Sequence, residues 1–201
     1  NSFPTTEKTP KAPISPYGKS KSMIEDALED YANAYNFKYV AFRYFNAAGA
    51  SPDLKHGYTQ KPANHIVPVV AQKILSGKTI EIFGNDFDTK DGTTERDYIH
   101  VHDIAKAHLC ALSYLDKEMP SEVFNIGASR PNSVLEIVEA FKKITNKEIS
   151  YKFVDRRPGD TPKTWADSSK AMKMLNWKPC YDLNDIVEHA FLWEKQKGNH
   201  S

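Results

Sequence analysis

Residues 15–46 read SPYGKSKSMIEDALEDYANAYNFKYVAFRYFN, a capped helix running into a β-branched and aromatic strand. Ser15 suits the N-cap, and Pro16 suits the first helical position, where its missing N–H costs nothing. At about 100° per residue, Tyr17, Lys21, Ile24, Leu28, Tyr31 and Tyr35 fall in one stripe roughly 80° wide, with Lys19, Asp26, Glu29 and Asp30 towards the other side. The helix is therefore expected to bury the stripe that carries Tyr17 and Lys21, where an unpaired ammonium is expensive. Two readings stay open. In one, Tyr17 packs and Lys21 snorkels to water. In the other, Lys21 lowers the pKa of a tyrosine one turn away, so that the phenol serves as a general base near neutral pH.

Working outward, residues 1–14 read as an extended loop, the helix runs to about Tyr35, and KYVAFRYF (38–45) is a strand. Residues 50–62 form a Gly/Pro/charged connection. A helix is expected over 64–75, then the alternating strand TIEIF (79–83) and the turn-rich GNDFDTKDGTT. DYIHV (97–101) is strand-like, and Asp103 can cap the helix of IAKAHLCALSYL. VFNIGA (123–128) reads as a buried strand. Ser133 with Glu136 forms a capping box that opens the next helix. YKFVD (151–155) is a further strand, and helices near 168–175 and 184–195 close the chain. Strands separated by helices of this length predict an α/β fold with a mainly parallel sheet.

The 201 residues carry a net charge of +1, with 40% hydrophobic and 26% charged side chains. No basic face offers itself to nucleic acid, no apolar run reaches the roughly 20 residues of a membrane span, and the polar start is no signal peptide. Cys110 and Cys180 read as free thiols of a reducing, cytoplasmic compartment. Asn199-His200-Ser201 would be a glycosylation acceptor only in a secreted protein. The nine glycines form neither G-x-G-x-x-G nor a P-loop. Asn46 ends a strand, where α/β sheets place ligand contacts or simply turn. Arg96 reads as a ligand-binding arginine or as a surface ion pair with Glu95 or Asp97. Arg156 and Arg157, before Pro158-Gly159-Asp160, suit an anion or a solvated charge cluster. His100-x-His102 with Asp103 hints at a metal, but strand alternation separates His100 from Asp103, so no metal site is expected.

In this order SPYGKSK, RYFNAAGA, NHIVP, IFGNDFDTKDGTTERDYIHVHD, FNIGA and RRPGDTPKTWADSSKA resemble the UDP-glucose 4-epimerases of the extended short-chain dehydrogenase/reductase superfamily over essentially the whole chain. The resemblance implies NAD as cofactor, UDP-glucose and UDP-galactose as substrates and a homodimer of the complete protein. Tyr17 would be the acid/base at the sugar 4-hydroxyl, and Lys21 would lower its pKa and hold the nicotinamide ribose. Tyr44 and Phe45 would line the nicotinamide end, Asn46 would touch the pyrophosphate, and His65 and Ile66 would meet the nucleotide. Phe83 would wall the uracil pocket, Arg96 and Arg157 would grip the diphosphate, and Asp160 would hold the uridine ribose. Thr164, small where some relatives carry tyrosine, would admit N-acetylated sugars. Residues 1–60 would then be the remnant of a Rossmann-like NAD-binding domain, and 61–201 mainly a smaller α/β UDP-sugar domain, with about 98–128 packing back on the first. The glycine-rich NAD-binding segment of such enzymes is expected elsewhere, and this chain alone is expected to be inactive. A 4,6-dehydratase, a UDP-glucuronate epimerase or decarboxylase, and a non-catalytic UDP-sugar-binding fragment remain the alternatives.

Overall fold

The computed structural model describes residues 3–198; the Asn199-His200-Ser201 acceptor lies outside them. Helix α1 (Pro16–Tyr35) begins on Ser15, whose hydroxyl accepts the Gly18 N–H at 3.0 Å, and ends at Asn36 in the left-handed region. Asparagine tolerates that conformation, which stops a helix cleanly. Strand β1 (Val40–Tyr44) follows and pairs in parallel with β5 (Glu122–Ile126). Helices α3 (Val101–Leu115) and α5 (Ser169–Leu175) pack against this pair around a core that includes Ile99, Phe124, Ile126 and Trp177. Burying a side chain as large as Phe124 contributes about 2–3 kcal/mol.

The stripe of α1 departs from expectation, because no residue of the helix is buried. Ile24, Leu28, Tyr31 and Tyr35 border an open apolar hollow of about 550 Å³ with Phe37. Periodicity identifies the residues that share a face, but not whether the chain itself supplies a cover. The helix is held instead by Glu25, whose carboxylate receives Nε and Nη2 of Arg43 at 2.8 and 2.6 Å.

A second core lies where α2 (Ile66–Leu75), α4 (Val134–Thr145) and α6 (Leu183–Gly198) meet the parallel pair β3 (Ile80–Phe83) and β7 (Tyr151–Val154). Val70, Ile80, Ile82, Phe141 and Ile186 are buried there. The capping box of α4 is present: Ser133 Oγ accepts the Glu136 N–H at 3.1 Å, and the Glu136 carboxylate accepts the Ser133 N–H at 2.8 Å.

Between the two cores runs β4 (Glu95–His100). It pairs in parallel with β2 (Asn46–Ala48) and β8 (Lys163–Thr164), and antiparallel with β6 (Pro131–Ser133). Strands of two or three residues show no alternation, so the sequence did not announce β2, β6 or β8. Helix α3 also begins earlier than expected. The ring Nδ1 of His100 accepts the His102 N–H at 3.0 Å and caps it, while Asp103 sits inside the helix and accepts the Cys180 and Tyr181 N–H groups at 3.0 and 3.1 Å. No helix of the described residues is long and apolar enough to cross a membrane.

Candidate functional site

The first candidate pair stands on the opening turns of α1. Tyr17 is 74% exposed, and Lys21 holds its ammonium 5.2 Å from the centre of the Tyr17 ring. Lys21 is exposed rather than turned into a core, which corrects the expected buried stripe. It shares a cleft of about 360 Å³ with Phe45, the residue that follows β1. Phe45 is tied down by its N–H to Ile126 O at 3.1 Å, and Tyr44 is half exposed at the end of the strand.

The second group gathers around Asp160. Arg157 Nε donates to Asp160 Oδ2 at 3.1 Å, and Arg96 Nη2 lies 3.9 Å from Oδ1. The Arg157 guanidinium also sits 4.8 Å from the Phe83 ring centre. Arg96 is braced by Glu95 O at 2.9 Å, and burial lowers its pKa, with Arg157 adding to the effect and Asp160 opposing it. Thr164 pairs with Arg96 across the β4–β8 ladder, and its hydroxyl lies 3.2 Å from that of Thr161. Two guanidinium groups that converge on one carboxylate beside an aromatic ring can exchange it for a diphosphate, which accepts the same forked donors.

Asn46 connects the groups by register, lying opposite Tyr98 in the β2–β4 ladder. His65 is the N-cap of α2 but makes no capping bond with its side chain, and Ile66 opens the helix. The β2 residues Ala47 and Ala48 share with His65 a cavity of about 650 Å³. A bare helix N-terminus is a natural anion position. Among the described residues, no hydrogen bond or ion pair joins Tyr17 or Lys21 to the arginine group. The histidine motif has another use. His100 Nε2 contacts His189 Nδ1 at 3.0 Å, and among the described residues no group of three His, Cys, Asp or Glu side chains is placed for a metal.

With this geometry in view, the sequence profile of the NAD dependent epimerase/dehydratase family matches residues 1–127. The chain belongs to that family. Within it, the chain is 43% identical over 195 residues to the UDP-glucose 4-epimerase of Lactobacillus helveticus, covering 96% of this chain and 59% of that one. The crystal structure of UDP-glucose-4-epimerase from Stenotrophomonas maltophila with bound NAD and formylated UDP-arabinopyranose superposes with a TM-score of 0.96 at 32% identity, over 100% of this chain and 61% of that one. The UDP-Glc/GlcNAc 4-epimerase of Campylobacter jejuni gives 0.78 at 45% identity, over 96% and 59%. The chain thus spans about 59% of the length of the curated relatives it matches.

One further residue of this region is singled out by no motif of the sequence. Tyr98 is almost wholly buried, faces the charges of Arg96 and Arg157, and has its phenol pKa pushed up by burial. Strand alternation places it on the Arg96 side of β4, a signal available in TERDYIH once the strand is known to start at Glu95.

Proposed function

We propose that this chain forms the UDP-sugar-binding and acid/base part of an NAD-dependent UDP-hexose 4-epimerase, which interconverts UDP-glucose and UDP-galactose and so belongs to galactose metabolism. The observation that carries the reading is the Arg96–Asp160–Arg157 cluster beside Phe83. In it, Arg96 and Arg157 hold the diphosphate, Phe83 stacks on the uracil and Asp160 accepts from the ribose. Asn46 meets the pyrophosphate, and the start of α2 at His65 and Ile66 meets the nucleotide.

Tyr17 removes the proton from the sugar 4-hydroxyl and returns it. Lys21, with its ammonium 5.2 Å from the ring centre, holds the nicotinamide ribose beside it. The residues fit the nicotinamide-ribose end of NAD, because the exposed Lys21 ammonium shares a cleft with Phe45 and stands 5.2 Å from the centre of the exposed Tyr17 ring. Bound NAD supplies hydride acceptance and return at C4. No glycine-rich pyrophosphate turn occurs in the 201 residues, so their contribution is confined to that end. Nucleotide contacts are charged and numerous, whereas the residue assigned to the sugar pocket, Thr164, is small. The sugar can therefore turn its other face while the nucleotide stays.

Thr164 also leaves room for an acetamido group, and the likeness to the Campylobacter jejuni enzyme supports N-acetylhexosamine substrates. The free thiols of Cys110 and Cys180 support a reducing, cytoplasmic setting. The open apolar face of α1 supports a homodimer, which sedimentation tests; a monomer at all concentrations would oppose it. Competition binding tests the substrate class. UDP-glucose, UDP-galactose and UDP-GlcNAc should displace one another at similar concentrations while GDP-glucose does not, and equal displacement by GDP-glucose would remove the assignment.

A further inference from the structure

The strand that carries Arg96 is anchored from its opposite face. Successive side chains of a strand alternate, so Arg96 and Tyr98 share one side of β4 and Asp97 takes the other. Asp97 is fully buried. Its Oδ1 accepts the Ala128 N–H at 2.7 Å, and its Oδ2 accepts the N–H groups of Ser129 and Ala166 at 3.1 and 3.0 Å. One carboxylate thereby joins β4 to the turn after β5 and to the segment between β8 and α5. Those two segments are also tied to each other. The Gly127 N–H donates to Ser168 Oγ at 2.9 Å, and Ser168 Oγ donates to Gly127 O at 3.0 Å. No slack remains, because a Cβ on Gly127 would overlap Asp97 Oδ2.

A buried carboxylate is expensive unless its lone pairs are used, and here three backbone donors use them. No ion pair accompanies Asp97 among the described residues, so its service is geometric. The stretch it anchors is where Arg96 lies opposite both Asn132 of β6 and Thr164 of β8. We propose that Asp97 is a positioning residue of the diphosphate site. By fixing β4 to the 127–129 and 165–168 segments, it sets the separation of Arg96 and Tyr98 from Arg157 and Asp160. The proposal rests on the UDP reading above.

Asp97→Asn tests it, since the amide replaces one acceptor oxygen by a donor and leaves at least one of the three N–H groups unmatched. The variant should bind UDP about tenfold or more weakly, as for a lost hydrogen bond to a charged group, while uridine affinity measured by NMR stays at the parental value. Parental UDP affinity would overturn the proposal. A parallel loss of UDP and uridine binding would do the same, being the mark of a general structural role. If Asp97→Asn does not fold, Gly127→Ala presses on the same carboxylate and should give the same UDP-selective loss. Parental UDP affinity in that variant, or failure of both variants to fold, overturns the proposal. If the parent chain itself takes up no UDP, the site reading falls, and hydrogen exchange still judges the anchor. Faster exchange in β4 and β8 of Asp97→Asn, with α4 unchanged, supports it, and uniform protection overturns it.

Discussion

Arg156 and Arg157 are neighbours in a Pro-Gly turn, yet they do different work. Arg156 donates through Nε to Asp86 Oδ1 and through Nη2 to Asp86 O, each at 2.6 Å, and lies over the Phe87 ring. Arg157 turns to Asp160 and Phe83. The sequence marked both as anion-binding candidates, but spacing cannot tell which of two consecutive side chains faces a site sixty residues away in the chain. The resemblance named Asp160 with Arg96 and Arg157, but its place between the two arginines was out of reach, because Arg96 comes to it through the β4–β8 ladder. Tyr17 and Lys21 were legible from their helical spacing, whereas their exposure was not. For them the expected outcome is kinetic. In a complete enzyme that contains this chain, assayed for UDP-galactose conversion with NAD, Tyr17→Phe should lower kcat by about 10²- to 10⁴-fold, the usual worth of a positioned acid/base, and leave UDP affinity unchanged. Undiminished turnover would remove Tyr17 from its role.

Among the elements, those with capping chemistry or long periodic faces were readable: α1 with Ser15 and Pro16, and α4 with its capping box. The short strands were not, because their existence is decided by β4, which recruits them from distant segments. The β4–α3 junction shows how a tertiary contact overrides a local signal. Asp103 looked like the cap, but His100 took the position and joined His189 of α6. With Nδ1 accepting from His102, neutral His100 carries its proton on Nε2, which donates to His189. Burial above all, then the charges of His189, His102 and Lys106, lowers the His100 pKa from 6.5 to about 3. Tyr181 stacks on the ring at 4.2 Å and helps exclude water. A base with a depressed folded pKa takes up protons in the unfolded state first. Its neutral form therefore gives full stability above about pH 6.5, and stability declines as the pH falls towards 3, by up to about 1.4 kcal/mol per pH unit. Urea midpoints between pH 4 and 7 should show that slope in the parent and a flatter one in His100→Gln. Equal slopes would assign the acid sensitivity elsewhere.

On the scale of the molecule, two apolar cores flank β4. One is built on β1 and β5, the other on β3 and β7 with three helices. The α/β class followed from the order of helices and strands. The division of labour between the cores did not, because β4 contributes Ile99 to one and Tyr98 to the other. This arrangement puts the nucleotide-binding candidates on segments fastened to β4, and the proposed acid/base pair on a helix held by the Glu25–Arg43 fork. The claim that joins them is that Asp160 and its two arginines form a diphosphate site, and calorimetric titration of UDP into the 201-residue chain addresses it directly. Saturable binding at one site per chain is expected, weakened about tenfold or more in Arg157→Ala, as for the loss of a charge-assisted hydrogen bond to phosphate. A folded chain that takes up no UDP, or an Arg157→Ala variant that binds it as tightly as the parent, would mean that Asp160 and its two arginines form no diphosphate site.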